Sequence, residues 1–551
     1  MVANITSRDY SGCVPGGQTL LFRRKQVNMR KIFAIALALA LTATLFAGCS
    51  ATAKNGSTGP VQTNAGAINT LASQTASDQT IKAPKYVFLF IGDGMSFPQF
   101  QSAADYLGAM ADSDYMQAVP SLDDNQGAVL DGPKPLNFMG FETVGSVVTY
   151  DSNSFAPDSA STATSIATGY KTYSGSINVD ETATKVYETI TEKVHEQLGM
   201  KVGIISSVNL NHATPAAFYA HQASRNSYYE IGLELIDSGF EYFAGGGLKK
   251  PTGADKDKED LYALAKQAGY NVVKTQAEAD KITSGPVIII DEHLADSDAM
   301  AYELDRTDKL WSLADYVEKG IEVLDNDKGF FMMCEGGKID WACHANDAAS
   351  TIHDTLALAD AVQVAIDFAK EHPDETLILV TGDHETGGLT IGFAGTDYDT
   401  YLSLLDSQKI SFAKFDSDYV AAYKENKTDF NTVLADIEKL FGLKAKGDTG
   451  DKLVLTEYEL GLLKTAYEKS VNEKDTGMVQ QAEYVAYGTY EPLSVTITHI
   501  LNNKSGVSFT SYSHTGLPVA MFADGVNADQ FDGYYDNTEI YEKLATMLAV
   551  K

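Results

Sequence analysis

Asp93, Asp340, His344, Asp383, His384 and His514 can each ligate a hard or borderline metal ion, and each lies where an apolar run ends or in the loop just after one. The runs 86–91, 330–334 and 377–380 read as short buried strands. They lead into Gly92-Asp93-Gly94-Met95, Glu335-Gly336-Gly337 and Thr381-Gly382-Asp383-His384. In open α/β sheets ligands bind beyond the carboxyl ends of parallel strands, so these loops are expected to meet in one crevice.

Ligand type sorts the six into two sets. Two histidines with one or two carboxylates suit zinc, and a catalytic zinc keeps one position open for water or substrate. Asp340, His344 and His514 would form one set; Asp93, Asp383 and His384 would form the other. Asp340 and His344 stand four residues apart, which puts both on one face of a helical turn. A single strand-end aspartate is more often a helix cap than a ligand. The joint pattern argues otherwise, because only ten histidines occur and three of them fall in Gly- or Asp-rich turns beside carboxylates. His195, His293, His353, His372 and His499 lie in helical or strand patterns without such partners and read as structural.

Ala156-Pro157-Asp158-Ser159-Ala160 opens a run of small residues with the signature of a helix start. Ser159 at that N-terminus would sit where free N–H groups and the helix dipole favour an anion. A serine hydroxyl is a weak nucleophile until its proton is removed, and a metal ion can do that without a histidine base. On this segment alone, a simple helix cap explains Ser159 equally well. Arg225 offers a planar fork that matches two phosphate oxygens, although alone it reads as a surface arginine.

Together these stretches resemble the alkaline phosphatase family. The resemblance is carried by Ile91-Gly92-Asp93-Gly94-Met95, Asp158-Ser159-Ala160, Ala213-Thr214-Pro215-Ala216, Ser224-Arg225, Glu335-Gly336 with Ile339-Asp340 and His344-Ala345, the run Thr381-Gly382-Asp383-His384-Glu385-Thr386-Gly387-Gly388, and His514-Thr515-Gly516. They stand in family order from about residue 85 to the end of the chain. The resemblance implies an α/β fold, with a central, mostly parallel sheet flanked by helices on both faces, and hydrolysis of phosphate monoesters through a phosphoserine. It assigns Asp340, His344 and His514 to a first Zn2+ that activates water, and Asp93, Asp383, His384 and the Ser159 oxygen to a second Zn2+ that lowers the serine pKa. Glu335 and Thr214 match ligands of a third site, usually Mg2+, to which Asp93 bridges. Arg225 matches the clamp on the phosphoryl oxygens, and Asp158 the carboxylate that orients it. In-line phosphoryl transfer spreads charge over equatorial and axial oxygens, which paired cations and a guanidinium suit.

Two positions depart from the best-known bacterial member: His212 stands where that enzyme has an aspartate near the third metal, and Trp341 where it has a lysine. An imidazole in place of a carboxylate removes charge and softens the ligand set. His212 therefore shifts the third site from Mg2+ towards Zn2+ or Co2+. Phosphodiesterases and sulfatases belong to the same superfamily, but Glu335 with Ser159 and Arg225 favours a monoesterase. A binding protein retired from catalysis would have lost a ligand, and none is missing.

The N-terminal part reads as targeting. Met29-Arg30-Lys31, the apolar run 32–46 and Ala47-Gly48-Cys49-Ser50 have the charged, hydrophobic and small-residue regions of a signal peptide. The ending resembles a bacterial lipoprotein signal with Cys49 as the lipidated residue, which implies export and anchorage to the outer face of the membrane; ordinary cleavage and secretion is the alternative. Residues 1–28 read as an untranslated upstream extension, since a second start lies at Met29, and 50–82 as a flexible Ser/Thr/Ala/Gly-rich tether. The catalytic domain then runs over 83–551. Cys334 and Cys343 are left, as one disulfide, as free packed thiols or as soft metal ligands.

The full chain carries 42 basic and 74 acidic residues, net −32, which argues against nucleic-acid binding. An acidic surface also repels phosphate esters, so local attraction must come from bound cations and Arg225. The elements that hold the ligands read as βα alternation without an internal repeat, with helices over 311–324 and 347–370. In the second, Leu358, Val362, Ala365, Ile366 and Ala369 mark one apolar face. Between His384 and His514 lie 129 residues, too many for a connecting loop. The insertion, about 395–505, reads as mostly polar and helical, clearest over 429–441 and 455–474. Family insertions there cover the active-site entrance or make subunit contacts, which leaves room for a homodimer; passive surface decoration is the alternative.

Overall fold

The computed structural model describes residues 82–111, 130–448, 450–472 and 481–551. The signal peptide, Cys49, the upstream extension and nearly all of the tether lie outside them. Among the described residues no helix is long and apolar enough to cross a membrane.

The described residues form fourteen strands: β1 (Tyr86–Gly92), β2 (Thr143–Val148), β3 (Lys201–Asn209), β4 (Tyr242–Gly246), β5 (Asn271–Val273), β6 (Val287–Ile290), β7 (Phe330–Gly336), β8 (Thr376–Gly382), β9 (Glu385–Thr386), β10 (Thr390–Ile391), β11 (Val507–Ser508), β12 (His514–Thr515), β13 (Val519–Gly525) and β14 (Gly533–Asp536). Ten make one sheet in the order β14-β2-β13-β8-β1-β7-β3-β4-β6-β5. All its pairings are parallel except those of β13, which runs antiparallel to both β2 and β8.

The continuous apolar runs follow from burial on both faces. Along β1 the side chains alternate: Tyr86, Phe88 and Phe90 enter one core cluster, while Val87, Leu89 and Ile91 enter the other. Helix α1 (Ser159–Thr168) packs Ala160, Ala163 and Ile166 on the second face. On the first lies α4 (Ala348–Glu371), with Leu358, Val362 and Ala365 buried and Ile366 and Ala369 packed at its margin. Between them in the chain come α2 (Ala213–Ala216) and α3 (Lys338–His344).

Register explains the convergence of the ligand loops. Gly92 is level with Gly336 on one side and Gly382 on the other, so β1, β7 and β8 release their chains at one height. A Cβ on Gly382 would lie 1.9 Å from the Met95 carbonyl oxygen, so glycine is what lets two of these loops touch.

The expected helices form with shifted ends. Ser312 caps the helix Leu313–Leu324 in a capping box with Asp315, leaving Trp311 outside it. Asp429 caps Phe430–Phe441, and the helix expected from 455 runs Glu457–Tyr467 before a wider turn over Glu468–Asn472. The segment 395–505 is less polar than its composition implied. Leu405, Phe415, Ile437, Phe441, Ile497 and Leu501 join the same core cluster as Phe88, because each helix hides a narrow apolar stripe. Its last helix is α5 (Pro492–Lys504). His293 lies in a bend rather than in a helix or strand. Cys334 and Cys343 are both free and buried, which excludes the disulfide.

Candidate metal centre

Asp158 caps α1, its Oδ1 accepting from the Ser161 amide at 3.1 Å, and so places Ser159 in the first turn. Ser159 is nearly fully buried, with Oγ 3.2 Å from His384 Nε2. The second Asp158 oxygen accepts from Arg225 Nη1 at 2.8 Å. Burial alone would raise the Asp158 carboxyl, but Arg225 and the Gly175 and Ser161 amides outweigh it and hold it down at about 2. The Arg225 amide is itself fixed, donating to the Gly175 carbonyl at 2.7 Å.

The six sequence-derived ligands come together. Asp93, Asp383 and His384 offer donor atoms within 4.8 Å of one another, and so do Asp340, His384 and His514. His344 joins the second group, its Nε2 lying 3.3 Å from Asp340 Oδ1 and 3.1 Å from His514 Nε2. His384 thus stands between the two groups, its ring stacked on that of His514 at 3.7 Å. Helix α3 carries Asp340 and His344 on one face, as their spacing predicted. Neither cysteine belongs to a group. Cys343 Sγ instead lies 3.5 Å from Thr351 Oγ1.

Hydrogen bonds fix which imidazole nitrogen is bare. His344 Nδ1 lies 2.7 Å from the Tyr512 carbonyl and His514 Nδ1 2.6 Å from the Pro157 carbonyl. A carbonyl only accepts, so both Nδ1 atoms carry a proton and both Nε2 atoms turn to the cluster, where a cation can take their lone pairs. Thr386 Oγ1 donates to Asp340 Oδ1 at 2.6 Å, so at 3.2 Å it accepts from His384 Nδ1–H, again freeing Nε2. Three imidazole Nε2 atoms and three carboxyl groups therefore converge on one another. Metal-binding histidines are oriented in this way.

A third cluster is marked by unsatisfied atoms. Both oxygens of Asp93, Glu335 Oε1, Thr214 Oγ1 and His212 Nδ1 are buried without a hydrogen-bond partner in the protein. Glu335 lies against Asp93 and Thr214, and Ser206 Oγ donates to its other oxygen. Burial and neighbouring acids push Asp93 upward, Asp383 to about 7 and Glu335 to about 8. Buried carboxylates that resist ionisation in the bare protein are what divalent cations stabilise. His212 precedes α2, and burial, then Arg225, pull it down to about 3, which keeps it neutral and able to ligate. The donor set thus fits metal ions.

Residue type discloses no role for Thr386, which stands in the 381–388 motif, or for the carbonyls of Pro157 and Tyr512. Nor does it disclose one for Thr162, whose hydroxyl donates to Asp383 Oδ2 at 3.2 Å. A carbonyl acceptor leaves no trace in residue type, so only the fold discloses it.

A strand-end centre of hard and borderline ligands beside a helix-capped serine and a fixed guanidinium defines a metal-dependent hydrolase of phosphate esters. The family model for alkaline phosphatase matches residues 84–550, and the chain belongs to that family as a phosphoric monoester hydrolase. It is 31% identical to alkaline phosphatase 3 of Bacillus subtilis over 469 residues, covering 84% of this chain and 88% of that protein. Alkaline phosphatase 4 of the same species is 29% identical over 522 residues, covering 93% and 95%. Among solved structures, a cold-active alkaline phosphatase from Shewanella sp. aligns with a TM-score of 0.65 at 28% identity, covering 84% of this chain and 99% of that one. The enzyme from Thermus thermophilus shares the fold at 22% identity with a TM-score of 0.67, covering 85% and 92%.

Proposed function

We propose that this enzyme cleaves phosphate monoesters through a covalent phosphoserine on Ser159, over two Zn2+ ions and a third metal. The observation that carries this reading is the 3.2 Å approach of Ser159 Oγ to His384 Nε2 at the helix start that also holds Arg225 through Asp158. Asp340, His344 and His514 would hold one zinc; Asp93, Asp383, His384 and Ser159 Oγ the second; Glu335, Thr214, Asp93 and His212 the third ion. When bound, these cations supply Lewis acidity that lowers the pKa of a ligated hydroxyl and positive charge that stabilises phosphoryl transfer.

The protein's own groups do the rest. Ser159 Oγ attacks phosphorus as the ester oxygen leaves, and water later displaces the serine. The α1 dipole favours the anion that forms beside its first turn. Arg225 gives one N–H to Asp158 and keeps others for the equatorial oxygens, in a fixed geometry that needs no reorganisation.

Acid quenching during turnover should yield a Ser159 peptide heavier by one phosphoryl group. Ser159→Ala with full activity, or label on another residue, would sink the covalent route. Rates on a monoester, a diester and a sulfate ester decide against the sibling chemistries, and a chain inert on all three would be a binding protein.

We further infer that His212 makes the third site less selective for Mg2+. Metal analysis should find Zn2+ or Co2+ competing there, and His212→Asp should raise Mg2+ content; one tightly held Mg2+ beside two Zn2+ in the unaltered protein contradicts this. Export with a lipid on Cys49 rests on the sequence alone. Failure of Cys49 to take up labelled fatty acid in a bacterial host would leave secretion as the route.

A further inference from the structure

Ser159 and Arg225 line a cleft of about 380 Å³ whose lining also includes Tyr302, Trp341, Phe412 and Tyr490. We propose that this aromatic lining is a subsite for a leaving group bearing a planar aromatic ring, and that nucleoside 5′-monophosphates are the substrate class it selects. The proposal rests on the monoesterase reading and concerns the part of the substrate beyond phosphorus.

The rings form a continuous wall. Tyr302 and Phe412 meet edge-on at 5.6 Å and 64°, and Phe412 meets Tyr490 at 5.9 Å and 82°. Lys338 Nζ lies 3.9 Å from the Tyr302 ring centre and 4.7 Å from that of Trp341. Its charge is answered by Asp296 at 2.6 Å, so the lysine joins two rings rather than attracting phosphate.

Packing alone accounts for Tyr302 and Phe412, which are buried, but not for Trp341 and Tyr490, which are only partly covered and border the open cleft. Such surface offers a nucleobase a face to stack on. Tyr302 Oη is buried without a hydrogen-bond partner in the protein, which leaves a phenol donor unmet beside the cleft.

The wall is also pre-set. Phe412 N donates to Asp347 Oδ2 at 3.0 Å, and Asp347 caps α4, which follows directly on the Asp340 and His344 helix. Phe412 and Tyr490 both come from the 395–505 segment, which thereby gains a role at the site.

The test compares adenosine 5′-monophosphate with ribose 5-phosphate, which share the leaving oxygen and differ by the base. Benzyl phosphate against propyl phosphate makes the second pair. On the metal-loaded enzyme, kcat/KM should favour the ring-bearing member of a pair by about tenfold, chiefly through KM. A preference in the first pair supports the nucleoside assignment, whereas one confined to the second keeps a ring subsite but overturns that assignment in favour of aryl esters. Phe412→Leu and Tyr490→Leu should each move the ratio towards one, and the partly exposed Tyr490 keeps the test available if the Phe412 variant does not fold. No preference in either pair, or ratios unmoved in Tyr490→Leu, would overturn the proposal. Failure of the phosphatase reading is distinguishable, since then neither member of any pair turns over.

Discussion

Behind Ser159, Asp93, Asp383 and His384 form a fully buried polar floor, whereas in the wall of the cleft Tyr302 and Phe412 are fully or nearly buried rings packed edge to edge. The floor is unfavourable by itself, because buried carboxylates crowded together repel and are stripped of water. The wall is favourable by itself, since aromatic contact and burial stabilise it whether or not anything is bound. On the proposed reading, catalytic chemistry sits on the unfavourable side of this pair of regions and discrimination between substrates on the favourable one.

Metal removal should break the comparison most severely. Chelation is expected to abolish turnover and to lower Tm, because a ligand present at 1,000 times its Kd contributes about 4 kcal/mol of stability. Calorimetry with and without chelator checks it, and an unchanged Tm would mean the floor needs no cation. Ser159→Ala should cost on the order of 10⁴-fold in kcat, read from initial rates, while leaving Tm nearly unaltered.

Arg225→Lys comes next. A lysine keeps the charge but cannot give one N–H to Asp158 and others to phosphate, so kcat/KM should fall by about 10- to 100-fold. A fall smaller than threefold would mean that charge alone suffices.

Asp347→Ala sharpens the contrast from the other side. This fully buried carboxylate accepts from Ser350 N at 3.0 Å, Gln408 Nε2 at 2.8 Å and Phe412 N at 3.0 Å. Its loss should destabilise the fold by about 2–4 kcal/mol in urea, with bound metal content retained.

The smallest effect concerns pH. Burial raises Asp416, in the 395–505 segment, from an ordinary 3.8 to about 7. The folded state then holds a proton that the unfolded chain has already released, so stability is highest below the unfolded pKa and declines as pH rises through the folded one. Asp416→Asn should therefore gain about 1–3 kcal/mol at pH 8 and nothing at pH 3.5. Equal gains at both would refute the assignment.

Much of this was legible because it depends on local pattern. Apolar runs ending in Gly-Asp, Glu-Gly and Gly-Asp-His announced β1, β7 and β8 with the loops beyond them, and the Asp158-Ser159 pair announced a capped helix. The 395–505 segment misled because average polarity conceals stripes such as Val433, Ile437 and Phe441, which only a partner surface reveals. The Cys334 and Cys343 pair stayed open to the end, since spacing does not report whether two thiols face each other.

Residue type and order by themselves determined the available chemistry: ligands suited to zinc, a serine at a helix start, one arginine for phosphate, and the family that arranges them. Tertiary structure decided which nitrogen of His344 and of His514 turns to the cluster, because the deciding acceptors are backbone carbonyls that lie 168 residues from His344 and 357 from His514. It also decided that His384 stands between both ligand groups and that Phe412 and Tyr490 return to Trp341. Side-chain identity is a local property, whereas proton placement and ring contact depend on distant segments that meet only after the sheet has formed.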